Sequence, residues 1–419
     1  MTDVAVAGGG LAGLVAARHL ADGGHDVVLF EREETVGGRV RTTRTEGLTL
    51  DRGFQVLFTA YPAVTRELDL DALDLRSFTP GATIARPGHR SVLSDPFRNP
   101  RDGLETLFNR EIRTGDKLRT FRLQRELART EPDELLDPAR PATTIREFLA
   151  DRGFSRAYVE RFAAPFYGGI TLDRSLSTDS RVFEYTFKML SEGQIVVPAE
   201  GMGAISDQLV RRAEASGARL ETDREVTAVD DGTVELEGET IEADAAVVAT
   251  DPHTARELTD VKSIPDGASG CVTQYYTLDS YSGLDTGKKL LLNAEDDRPN
   301  QVAPLSAVAP EYAPAGTQLL SATFLGEQER SNEGLAAETR ETLAAWYPER
   351  DLGGLELRHT DRIEFAQFPQ PPGFLSSLPD PDAPDGAVVL AGDYTRWCSI
   401  QGALESGRRA ADVVERKLR

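Results

Sequence analysis

The sequence predicts an α/β fold: a domain on a parallel sheet, assembled from three separated pieces of chain and interleaved with an α+β domain. Three observations predict it. An apolar strand at residues 4–7 runs through a glycine-rich turn into a helix-periodic stretch at 11–20. In mid-chain, a helical pattern at 201–217 leads through short strands to a buried strand pattern at 243–250, ending at Asp251-Pro252. Near the C-terminus, a third apolar strand at 387–391 precedes a helical pattern at 402–419. A chain of 419 residues suits two domains. The boundaries expected are 1–60, 195–255 and 385–419 for the first, and 61–194 and 256–384 for the second.

Taken in order, the first element reads Val4-Ala-Val-Ala-Gly8-Gly-Gly10-Leu11-Ala12-Gly13. Gly8-x-Gly10-x-x-Gly13 sits between a strand and a helix, where a dinucleotide fingerprint must sit. Gly8 permits the tight turn, Gly10 lets the backbone approach a pyrophosphate, and Gly13 allows the helix to pack on the strand. The N–H groups at the helix start, with Leu11 and Ala12, favour phosphate charge. The next strand, 26–30, ends in Glu31, eighteen residues after Gly13, placed to accept from ribose hydroxyls; Arg32 follows it. Gly37 and Gly38 then let the chain pass tightly, and Arg39 supplies a fixed cation near a pyrophosphate.

Between these elements, residues 61–192 read as mainly helical and arginine-rich, and 272–368 as alternating apolar runs that suggest strands. Asp230-Asp231-Gly232 marks a hairpin between 226–229 and 233–236. Residues 369–386 form a proline-rich loop back to the first domain.

Composition limits the rest. The formal charge is −22, and the basic residues are 41 arginines and only 6 lysines. Such a surface disfavours nucleic acid and anionic membranes at ordinary salt. It suits a halophilic cytoplasm, where molar salt shortens screening to ~3 Å; an acidic mesophilic protein is the alternative. No apolar run approaches the ~18 residues of a membrane helix. Met1, Thr2 and Asp3 carry no basic charge, which disfavours a secretory signal. Two cysteines without CxxC spacing point to a reducing compartment, and five scattered histidines predict no metal.

The segment Glu31-Arg-Glu-Glu-Thr-Val-Gly37-Gly38-Arg39-Val-Arg-Thr42 resembles the GG-R-x-x-[ST] signature of FAD proteins of the amine oxidase superfamily. Independently, Gly392-Asp393-Tyr-Thr-Arg-Trp-Cys-Ser-Ile400-Gln401-Gly402-Ala403 is similar to the closing FAD motif of that superfamily. The resemblance implies a Rossmann-like FAD-binding domain interleaved with a substrate domain. It implies that Gly392 and Asp393 hold the ribityl and phosphate region. It also implies that the last helix, starting near Ile400 and Gln401, points at the flavin, with small Gly402 and Ala403 allowing close approach. By the same resemblance Val226 meets the adenine through its backbone, and Gly53 and Phe54 lie near the ring.

Residues 165–172, with Leu176-Ser177, are similar to the substrate-domain stretch of protoporphyrinogen oxidases and plant-type phytoene desaturases. Monoamine oxidases carry an aromatic residue where this chain has Ser399, which is followed by Ile400 in place of the usual methionine, so the resemblance disfavours an amine substrate. The chemistry implied is hydride transfer from a bulky hydrophobic substrate to flavin N5, with an isoprenoid or carotenoid ahead of a tetrapyrrole. Oxygen or a quinone would accept the electrons. Candidate ring-side walls are Phe54, Gln55, Tyr167, Trp397 and Ile400, of which Phe54, Tyr167 and Trp397 suit core packing equally. Cys398 is disfavoured as a covalent flavin attachment, and His253 reads as a surface or cap residue. No catalytic acid or base is identifiable. Residues 104–108 and 118–127 are candidate amphipathic helices for peripheral membrane contact, although facing their own core is the plainer reading. Two rivals stay open: a flavin-dependent isomerase with no net redox, and a non-catalytic prenyl-binding escort.

Overall fold

A computed structural model describes residues 2–93 and 113–419. The expected parallel sheet is present. Its five strands run in the order Arg219–Glu221, Asp26–Phe30, Asp3–Ala7, Ala245–Val248, Val388–Leu390, and every neighbouring pair is parallel. The strands read DVAVA, DVVLF, AAVV and VVL, the near-continuous apolar runs of a sheet covered on both faces.

The helix Leu11–Asp22 has nine buried residues, five of them Ala or Gly, because it is sandwiched between the helices Gly203–Ala215 and Ile400–Lys417. Small side chains let these axes approach. At the crossing of the first and last helices, a Cβ on Gly407 would lie 2.2 Å from the Ala12 carbonyl oxygen.

A second, seven-stranded sheet has the order Glu356–Gln367, Ser269–Asp279, Thr317–Leu325, Gln301–Ala303, Leu290–Asn293, Ala82–Arg86, His89–Leu93. All its pairs are antiparallel except Leu290–Asn293 with Ala82–Arg86. One face packs on the helix Asn332–Trp346 through Tyr276, Ala322, Val302 and Trp346. The other face turns toward the first sheet. The expectation that 61–192 is mainly helical needs correction at its start. Leu75–Ser77 pairs with Ile195–Pro198, and Ala82–Arg86 with His89–Leu93 form a hairpin. The Pro87-Gly88 turn, with Gly88 at φ +65°, is the signal that reading passed over. The helices Thr114–Leu127, Ile145–Asp151, Ala164–Thr171 and Ser180–Glu192 follow.

The expected helix at 104–108 lies outside the described residues. The one at 118–127 forms, burying Leu123 and Leu127. Among the described residues, no helix is long and apolar enough to cross a membrane.

Candidate functional site

Between the C-terminal ends of the parallel strands and the inner face of the second sheet lies a cavity of about 920 Å³, near the upper end of the ~300–1,000 Å³ usual for ligand sites. Its location, outside the carboxyl ends of parallel strands, is where open α/β sheets bind ligands.

The three fingerprint glycines serve different masters. Gly8 has φ +107°, donates to the Phe30 carbonyl at 2.8 Å, and a Cβ there would strike the Ala249 carbonyl oxygen at 2.7 Å. Gly13 is outside the cavity lining; its Cβ would lie 2.0 Å from the Gly8 oxygen, so it is glycine for helix–strand packing. Gly10 is different. Its φ of −73° suits any residue, and a Cβ there would meet nothing within 4 Å. The protein itself does not require glycine at this position; the space belongs to whatever fills the cavity. The helix that Gly10 caps has no side-chain cap and no acidic residue in its first turn, so its N–H groups and positive dipole end face the lining at Leu11 and Ala12.

Glu31 ends its strand buried in the lining. One carboxylate oxygen accepts from Gly9 N–H at 2.8 Å and the other from Glu33 N–H at 3.0 Å. Both oxygens keep lone pairs for a hydroxyl donor. Arg32 lies beside it, 3.9 Å from Asp251. Gly37 and Gly38, at φ +115° and +57°, fold the next turn onto Gly9, whose carbonyl accepts from Gly37 N–H.

Arg39 joins the two motifs that stand at opposite ends of the sequence. Its Nη2 lies 2.7 Å from Asp393 Oδ2, and its Nη1 donates to the Ala366 carbonyl. Burial works against the guanidinium charge, but Asp393 overcomes it and holds Arg39 above its usual range. Asp393 is buried, and among the described residues its Oδ1 meets no hydrogen-bond partner of normal geometry, although the Cys398 thiol lies beside the carboxylate. A buried carboxylate oxygen left open toward a cavity calls for a hydroxyl donor, as a ribityl chain offers. Cys398 lies alongside. Burial and then Asp393 push its thiol well above the ordinary range, so it is not a poised nucleophile.

Gly392 also lines the cavity. Ser399 caps the terminal helix through Gly402 N–H at 2.8 Å, and that helix likewise lacks acidic residues in its first turn. Ile400 and Ala403 line the cavity, but Gln401 does not: its side chain accepts from Ala63 N–H at 2.7 Å, tying the helix to the neighbouring segment. Gly53, Phe54 and Val226 are in the lining as expected. Gly53 takes φ +75° and donates to Asp361 Oδ2 at 3.0 Å; Gln55 braces the same segment by donating to the Arg39 carbonyl.

Two candidate walls belong to the core. Tyr167 packs edge-on against Phe183 at 4.6 Å, and Trp397 against Tyr185 at 5.0 Å. Their neighbours Phe166 and Ile170 reach the cavity instead, joined by Leu290, Leu292, Gln301 and Ile363 from the second sheet. None of these six was singled out from the sequence. The apolar run Leu290-Leu-Leu292 and the Pro-Phe-Tyr-Gly-Gly stretch are the signals the sequence offers. His253 sits at the rim, exposed, 3.5 Å from Glu257.

The residues fit FAD: a cradle at Gly10, an open carboxylate oxygen on Asp393, and two helix N-termini without acidic residues in their first turns facing one cavity. Comparison with known proteins agrees. The profile of flavin containing amine oxidoreductases matches residues 11–415. A carotenoid 3,4-desaturase from Haloarcula japonica is 27% identical over 293 residues, spanning 61% of this chain and 57% of that enzyme. The 15-cis-phytoene desaturase of Synechococcus elongatus is 25% identical over 458 residues, covering 98% of this chain and 95% of that one. The crystal structure of an oxidoreductase from Methanosarcina mazei superposes with a TM-score of 0.75 over 98% of this chain and 100% of its own, at 18% identity, a likeness of fold.

Proposed function

The chain belongs to the family of flavin-containing amine oxidoreductases and is an FAD-dependent oxidoreductase, and from that premise we propose that it dehydrogenates a bulky isoprenoid or carotenoid. The observation that carries this reading is the contrast within the cavity. Beyond the nucleotide cradle its wall is mostly Phe54, Val56, Phe166, Ile170, Leu290 and Leu292, with Gln301 and Gln367 among them, and among the described residues no lysine lines it. Arg52 and Arg362 also line the cavity, with the Arg362 guanidinium spent on Asn332 and the Gln328 and Arg330 carbonyls; a wall that is otherwise mostly apolar and lacks a lysine suits a hydrocarbon. The two desaturase relatives support the same class.

FAD supplies the two-electron acceptor for a hydride. The chain's residues do the rest. Gly10 and the N–H groups that follow take the pyrophosphate, Glu31 the ribose, and Asp393, steadied by Arg39, the ribityl hydroxyls. The terminal helix, whose first turn lines the cavity at Ile400 and Ala403, would present its positive end to the flavin and favour negative charge there. Phe166, Ile170 and Leu292 hold the reacting carbons and exclude water. The pieces 1–60, 195–255 and 385–419 form the cofactor-holding unit.

A substrate of this class dissolves in bilayers, so the protein meets it at a lipid surface. The helix Thr114–Leu127 supports that contact. It exposes Leu118 (52%) and Phe121 (37%) beside Arg122, Arg125 and Arg129, a basic and apolar face on an acidic protein.

The test is anaerobic incubation of FAD-loaded protein in molar salt with phytoene- or lycopene-containing liposomes and a soluble quinone. A product lighter by two hydrogens, with quinol formed, supports the reading. Unchanged mass with a requirement for reduced flavin means isomerisation. Reaction only with porphyrinogen or amine moves the protein to the oxidase branch.

A further inference from the structure

The cavity-facing side of the seven-stranded sheet carries polar groups that the reading above leaves unused. In the register of the sheet, Thr273 stands opposite Asp361 on one side and Thr323 on the other, and Thr323 stands opposite Gln301. Paired residues on neighbouring strands point to the same side. Asp361, Thr273, Thr323 and Gln301 therefore form one polar row across four strands, on the side where Cys271 and Gln301 line the cavity. Ser321, two residues from Thr323, shares that side.

Thr273, Ser321 and Thr323 are 0%, 1% and 3% exposed. Among the described residues their hydroxyls meet no hydrogen-bond partner of normal geometry, although the Cys271 thiol lies beside Thr273. One such buried hydroxyl is unusual, and three together under an apolar cavity need a physical cause. Opposed residues have their Cβ atoms ~4.5–5.5 Å apart, a gap that one water with two ~2.8 Å bonds closes. Buried waters settle where several unsatisfied polar groups converge. At its end the row reaches a second feature. Asp361 accepts from Gly53 N–H at 3.0 Å with one oxygen, and its other oxygen lies 2.9 Å from His359 Nε2. The His359 ring opens to solvent.

We propose that this row is a hydrated proton path, in which waters held by Ser321, Thr323 and Thr273 carry the substrate's departing proton to Asp361 and out through His359. The inference rests on the desaturase reading. There, one C–H bond breaks with loss of hydride. The neighbouring C–H bond then breaks, its electron pair becoming the new C=C bond and its proton passing to the first water. Each water or hydroxyl takes one proton and gives up another, so the row ends unchanged, and the quinone takes the two electrons. The other titratable groups facing Asp361 and His359 are Cys271, pushed up to about 11 by burial, Tyr275, pushed well above its usual value, and Asp51, raised by burial. The Tyr275 hydroxyl is committed to the Asp51 carbonyl. Neither Cys271 nor Tyr275 gives up a proton near neutrality.

Two measurements test the path. The first uses FAD-free protein and reads thermal unfolding of Thr273→Val and Thr323→Val. If the hydroxyls hold water, each isosteric valine lowers the Tm by about 2 °C or more; if the row is dry, valine removes an unpaired hydroxyl and the Tm rises. The second reads the carotenoid-driven rate of cofactor reduction across pH. Asp361→Asn keeps an oxygen for Gly53 N–H but loses the carboxylate. We expect a rate at least tenfold lower and a flattened pH profile at unchanged substrate affinity, with His359→Gln flattening the profile likewise. Valine variants of higher Tm, or an Asp361→Asn protein with wild-type rate and profile, would overturn the path. Failure of the desaturase reading shows separately, as wild-type protein that no carotenoid reduces, and overturns the path with it.

Discussion

The two ends of the cavity are built by opposite means. The nucleotide end is mostly backbone: glycine turns, helix N-termini, and two carboxylates, Glu31 and Asp393, fixed by neighbours. The substrate end is mostly side chain, gathered from Phe166 and Ile170 on one helix and Leu290, Leu292 and Ile363 on remote strands. A backbone site must keep particular residues at particular spacings, whereas a side-chain wall needs only apolar volume and is free to change. On the reading proposed above, one end fixes the cofactor and the other chooses the substrate.

That division can be broken or sharpened by substitution. The largest effect is expected at Gly13→Ala, whose Cβ would lie 2.0 Å from the Gly8 oxygen. The turn must open, at a cost of about 3 kcal/mol or more, seen as a lower urea midpoint with or without FAD. Asp393→Ala comes next. It strands Arg39, which keeps partial contact with solvent, so the loss is about 2 kcal/mol, and FAD binding weakens with it; Asp393→Asn should recover part of both. Gly10→Ala separates cofactor from scaffold. With open space at its Cβ, the FAD-free protein should lose no more than about 1 kcal/mol. FAD affinity, followed by quenching of flavin fluorescence, should fall tenfold or more, about 1.4 kcal/mol. At the other end, Ile170→Ala should leave FAD affinity unchanged and raise the KM for a carotenoid about fivefold, or about 1 kcal/mol.

The smallest effects concern pH, and the two ends respond at opposite extremes. On the terminal helix, burial would raise the Glu405 carboxyl, but Arg408, Arg409 and Arg66 prevail and bring it to about 2. Its contribution is full above the unfolded value of 4.5 and is lost as pH falls toward 2. In the second sheet, burial raises the Cys271 thiol from 9.0 to about 11, so the folded state binds the proton longer. That contribution is full below 9 and is lost as pH rises toward 11. Denaturation midpoints measured across pH should fall on both sides, with Glu405→Gln blunting the acid limb and Cys271→Ser the alkaline one.

The same contrast explains what was legible in the sequence. Gly8, Gly10, Glu31, Gly37, Gly38 and Arg39 stand out by spacing, where the backbone allows few alternatives, and Asp393 by its resemblance to a closing FAD motif; all seven line the cavity. Gln401 was misjudged because a motif gives positions, not directions: its side chain turns to Ala63. Tyr167 and Phe166 show the limit most plainly. They are adjacent and both aromatic, and only helix phase, set by packing against Phe183, decides that Phe166 meets the cavity. The Ala82–Arg86 hairpin was hidden because its strands are short and carry arginines, and their pairing depends on Leu290–Asn293, far away in sequence. Thr273, Thr323 and Asp361 acquire meaning only when three strands are laid side by side.

The strand order of the parallel sheet also governs how the molecule comes into being. Val388–Leu390 pairs with Ala245–Val248, and Ile400–Lys417 covers the first helix. On the ribosome, Asp3–Ala7 and its glycine turn emerge first but stay uncovered on one side until nearly the whole chain has followed. Contacts between such distant segments close slowly. The cradle at residues 3–13 is thus made well before the segments that complete it. Nascent chains halted before residue 388 should remain bound to chaperones and fail to retain FAD, however intact their fingerprint.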